Sequence, residues 1–128
     1  MTSRLPPPTE IENCREITRK ILSFSPNVRY VGVMNKFGRT IVGQLRKDVI
    51  PLFKPEEARN ENFIEATRNQ LRKNFEGSIG KTVYTFTENE KVKILSFPKE
   101  TYFYYITLDK DTNSQEIEKI IEIVKNLQ

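Results

Sequence analysis

Three strand-like runs crowd the last third of this chain, Thr82 to Thr87, Lys91 to Phe97 and Tyr102 to Leu108, with only three or four residues between one and the next. Gaps this short force antiparallel neighbours, because a parallel pair needs a crossover of a dozen or more residues. The segment therefore reads as a three-stranded meander. A sheet must bury a face against another layer, so the rest of the chain has to supply the cover.

That cover is visible as periodicity. Ile11, Cys14, Ile17, Ile21 and Leu22 follow three- and four-residue steps, which predicts a first helix at about residues 10–24, with Thr9 as N-cap and Pro26 as its stop. Phe63, Ile64, Thr67, Leu71 and Phe75 repeat the pattern and predict a long second helix at about 56–76, opened by Pro55 and closed by Gly77. A third helix runs to the C-terminus on Ile117, Ile120, Ile121, Val124 and Leu127, with Asn113 and Glu116 as a capping box. Between the first two helices, Val28–Met34 and Arg39–Leu45 read as two strands of a hairpin, with Gly38 supplying a positive φ in the turn. Gly32 and Gly43 interrupt those strands, and a strand glycine often marks a bulge or the close approach of another group. The order is α-ββ-α-βββ-α: an α/β (α+β) domain with a five-stranded antiparallel sheet flanked by helices. Residues 1–8 read as an extended leader and 9–128 as one domain.

At 128 residues, with 30% charged and 37% hydrophobic residues, the chain can bury one core, and its composition is that of neither a disordered nor a membrane protein. No apolar run is long enough to span a bilayer, and the N-terminus has no signal-peptide pattern, so a cytoplasmic location is expected. The single cysteine, Cys14, reads as a small buried residue. The chain has no histidine and thus lacks the commonest general base and transition-metal ligand. No catalytic constellation, metal site or cofactor is expected, and the protein reads as a non-enzyme.

Three features carry a chemical reading beside a structural one. Gly77–Thr82 ends in Gly-Lys-Thr, but a phosphate loop needs a strand before it and a helix after it, and here the order is reversed. Glu57, Glu61 and Glu65 lie at four-residue steps and read as a solvated helix face. Tyr102–Tyr105 puts aromatics on both faces of one strand, the mark of a central strand covered on each side; with Lys91 and Lys93 next door it could also serve as a base-stacking platform. Residues 1–47 carry nine Lys/Arg against three Asp/Glu, so the net +4 charge is concentrated in the first third. Arg29, Arg39, Arg46 and Lys47 are its candidate basic patch.

The hairpin Val31-Gly32-Val33-Met34-Asn35-Lys36-Phe37-Gly38-Arg39-Thr40-Ile41, followed by a long helix and a meander, resembles the roadblock and dynein-light-chain family, with the related longin and profilin folds. The chain is also similar to small archaeal proteins of this size. The resemblance implies a homodimeric scaffold or regulator that binds a protein partner, a small Ras-like GTPase. It would place Arg68, Arg72 and Lys73 of the second helix, with Tyr84 and Phe86 of the first meander strand, at the dimer or partner surface. The loop from Arg46 to Pro55 departs from the family by its length and its prolines. Two other readings stay open: a PAS-like sensory domain whose sheet cups a small molecule, and a nucleic-acid-binding module using the basic first third.

Overall fold

The structure, a computed structural model, describes residues 6–127. Residues 1–5 of the expected leader lie outside that range. Helix α1 spans Pro8–Ser23, strands β1 and β2 Val28–Asn35 and Thr40–Leu45, helix α2 Pro55–Arg72, and a 3-10 turn Lys73–Phe75 leads into the four-residue α3, Glu76–Ile79. Strands β3, β4 and β5 are Thr85–Glu88, Val92–Pro98 and Tyr102–Asp109, and α4 is Ser114–Lys125.

The ends of the first two helices correct the sequence expectations. Helix α1 starts at Pro8, with Pro7 in the cap position and no side-chain cap; Thr9 lies inside the helix. Proline suits the first helical position because its missing N–H is one that the helix leaves unbonded anyway. At the far end of α2, Gly77 falls within α3, and it is Gly80, at φ 84°, that ends the helical run. Strand β3 accordingly begins at Thr85, three residues later than predicted, and Tyr84 precedes it.

The five strands form one antiparallel sheet in the order β2-β1-β5-β4-β3. β5 is central, and its aromatic quartet divides between the faces as period-two geometry requires. Tyr104 joins Val31, Val33, Leu95, Phe97 and Ile106 in a core covered by Cys14, Ile21 and Leu22 of α1 and Ile117, Ile120 and Val124 of α4. Phe103 and Tyr105 join Met34, Val92 and Ile94 on the opposite face, under Ala66 of α2. An irregularity in the β1–β5 pairing between Val28 and Tyr30 lets those two residues, two apart, serve opposite cores.

Two cations hold element ends. Arg46 donates from Nε to the Val28 carbonyl at 2.7 Å and from Nη2 to the Ser25 carbonyl at 2.7 Å and to the Leu22 carbonyl, at the negative end of α1. Lys99 Nζ sits among the last carbonyls of α4, 3.4 Å from that of Val124, and 5.8 Å from the centre of the Tyr104 ring. The hairpin turn meets α2 at Gly38, φ 87°, where a Cβ would stand 2.8 Å from the Asn62 carbonyl oxygen. Among the described residues no helix is long and apolar enough to cross a membrane.

Candidate interaction surface

Helix α2 opens as its sequence dictates: Pro55 takes the first position, and the Lys54 backbone N–H donates to the Glu57 carboxylate at 2.9 Å. Its orientation reverses the one the periodic stripe implies. Phe63, Ile64 and Leu71 are 64%, 58% and 59% exposed, and Phe75 beyond the helix is 51% exposed. The buried residues of α2 are Glu65 and Ala66. The sheet beneath already presents Met34, Ile94, Phe103 and Tyr105, so a helix can close on it only with small or slender side chains inward. The large apolar side chains are left on the outside. Ala58, Glu61, Asn62, Glu65, Ala66 and Asn69 also repeat at three- and four-residue steps, and that second stripe was the signal for the true inner face.

Beneath the helix the polar inner face is strained electrostatically. Burial raises the Glu65 carboxyl above the ordinary range, against the nearby Arg68 guanidinium, which lowers it and stands 3.8 Å away. Glu65, Asn69 and Ser96 are packed together in this buried layer, and the Ser96 hydroxyl, like Arg68, works against burial by lowering the Glu65 pKa. Tyr105 donates to Glu61 at 2.7 Å, and burial, reinforced by that carboxylate, pushes its hydroxyl far above the usual tyrosine range.

The five residues expected at one surface fall on three. Arg68 and Arg72 flank the exposed apolar face of α2, forming a shallow groove with Phe63, Ile64, Leu71 and Phe75, and the Arg72 guanidinium lies 5.2 Å from the Phe75 ring centre. Lys73 instead lines a separate polar depression, together with Arg72. Tyr84 and Phe86 face the other way. Phe86 pairs with Leu95, whose side chain belongs to the α1/α4 core, and paired residues share a face. The Tyr84 ring stacks 5.8 Å from that of Phe97, in the same core. β3 lies at the edge of the sheet.

The expected basic patch also divides. Arg46 is consumed by the carbonyls it clamps, and Arg29 Nη2 donates to the Ile50 carbonyl at 2.7 Å, holding the 46–54 loop. Arg39 and Lys47 are exposed. Lys93, the proposed companion of a stacking platform, donates to the Thr112 carbonyl at 2.8 Å. Among the described residues no group of three or more His, Cys, Asp or Glu is placed to hold a metal ion.

No family model and no curated protein matches the chain. Solved structures do. The gliding protein MglB of Thermus thermophilus superposes with a TM-score of 0.77 over 98% of this chain and 93% of its own, at 10% identity. MglB in a tetrameric arrangement gives 0.77 over 98% and 92%, at 11% identity. A Roadblock/LC7 domain of Streptomyces avermitilis gives 0.59 over 86% and 92%, at 8% identity. The chain has the roadblock fold. The agreement runs over 86–98% of the chain at identities of 8–11%, so what this roadblock fold shares with the others is the path of the backbone.

Proposed function

We propose that the protein is a non-catalytic homodimeric scaffold or regulator, whose paired subunits present a surface to a protein partner, a small Ras-like GTPase. The observation that carries the reading is the outward apolar face of α2. Phe63, Ile64, Leu71 and Phe75 converge on one groove, and an exposed cluster of large apolar side chains rimmed by polar residues marks an interaction surface. A second copy is the natural cover, because a two-fold axis beside α2 sets each apolar face against its twin while Arg68 and Arg72 stay at the rim. The tetrameric arrangement of one MglB relative supports self-association in this fold. The partner class rests on the resemblance of the hairpin and element order to the roadblock family. The nucleic-acid reading loses support, since Arg29, Arg46 and Lys93 are all spent on backbone carbonyls.

Light scattering across a concentration series tests the first half. Wild type is expected to be dimeric, and Ile64→Lys and Leu71→Lys monomeric with unchanged circular dichroism; Tyr84→Lys, on the opposite face, should stay dimeric. A wild type that remains monomeric at every concentration overturns the reading. For the partner, calorimetry with Ras-like GTPases loaded with GDP or a GTP analogue should show binding that depends on the nucleotide. Absence of binding in both states would remove the GTPase and leave the dimer standing.

A further inference from the structure

The 46–54 loop, the segment that departs from the family pattern, forms one wall of a cavity of about 270 Å³ between the sheet and the N-terminal half of α2. Leu52 and Phe53 come from the loop, Ala58 from the helix, and Tyr30, Val92 and Tyr105 from the sheet. Arg29 anchors the loop from below through the Ile50 carbonyl.

The floor explains the two strand glycines. Gly32 and Gly43 are direct partners across β1 and β2. The Tyr30 hydroxyl oxygen lies against the point where a Cβ on Gly43 would stand and 2.8 Å from the corresponding point on Gly32, which also has Met34 Cε at 2.7 Å. The tyrosine therefore lies down on bare backbone, and a side chain at either position would push it up into the cavity. The pair of glycines keeps the space open.

We infer that this cavity binds a small uncharged molecule with one or two aromatic rings. The walls are mainly apolar and aromatic, and several of the polar groups among them already hold a partner: Glu61 receives the Tyr105 hydroxyl, Arg29 holds the loop, and Asn62 donates to Thr40 at 3.3 Å. Arg29 and Glu61 bring one charge of each sign to the lining, so a charged ligand gains no net attraction there and would lose its hydration without return. The size agrees: an apolar cavity of about 150 Å³ accommodates benzene, so this one takes a fused two-ring molecule. The inference does not depend on self-association, because the cavity lies on the sheet side of α2 and the Phe63–Leu71 face on the other.

The test uses indole as probe, titrated into the full chain and followed by amide NMR and thermal unfolding. Saturable shift changes at Leu52, Phe53, Ala58 and Thr107 are expected, with a midpoint that rises as indole is added. Ala58→Leu, which fills the space, and Leu52→Asp, which charges an exposed wall, should each weaken binding at least tenfold. Ile64→Lys should leave it unchanged. The inference is overturned by non-saturating shifts, by equal affinity in both cavity variants, or by shifts confined to Phe63, Ile64 and Leu71. Indole-3-acetate binding as tightly as indole would overturn the uncharged class.

Discussion

Glu65 shows how much one side chain can oppose the fold it belongs to. Its carboxyl is buried under α2, and burial raises its pKa in spite of Arg68 and Ser96, which lower it. A group that is a weaker acid in the folded state holds its proton more tightly there, so folding is favoured when it is protonated. Between the ordinary carboxylate range and the raised folded value, the native chain binds more protons than the unfolded one, and stability falls as pH rises through that window. Glu65→Gln keeps the shape and removes the titration. The variant should show a flatter stability profile than wild type as pH rises above the ordinary carboxylate range and a higher melting midpoint near neutral pH, read by thermal denaturation in matched buffers. The last of three glutamates spaced four apart reads from sequence as part of a solvated face, and only its place in the Ala58–Asn69 stripe sets it apart from Glu57, which stays exposed.

Among the elements, legibility followed where the large residues point. α4 was readable along most of its length, because Ile117, Ile120 and Val124 face the core and the Asn113 side chain accepts the Glu116 N–H at 2.9 Å. It ends at Lys125, short of the expected C-terminus, and the Glu116 carboxylate accepts from Ser25 and Asn27 instead of closing the capping box. The hairpin and meander were readable because short connections leave one pairing. α2 carried an equally clear stripe that faces outward, since periodicity reports which residues share a face and not which layer that face meets. The strand order and the cavity depend on contacts far apart in sequence, and no local pattern contains them. Arg46 belongs to this scale, for it ties the ends of α1, β1 and β2 through three carbonyls. Arg46→Met would strand those partly buried acceptors. The expected cost is on the order of 2–3 kcal/mol in chemical denaturation, the range for hydrogen bonds to a charged donor, whereas Arg39→Met should cost nothing measurable.

For the whole molecule, self-association makes stability a function of concentration. A dimer that unfolds to separated chains gains from mass action, so the melting midpoint of wild type should climb as protein is concentrated, while that of Leu71→Lys stays constant. A constant midpoint for both would place the exposed face of α2 outside any interface between copies.

The centre of the sheet joins the two ends of the message. β1 is made early, yet its inner neighbour is β5, with Gly32 beside Tyr105 and Val33 beside Tyr104. On a ribosome the first hairpin would leave the tunnel with one edge bare and wait for most of the remaining chain before that edge could close, and such non-local pairings are the slow ones. Until Tyr102–Asp109 emerges, neither core has its central wall, so a chain broken off before that strand should be a client of chaperones and proteases.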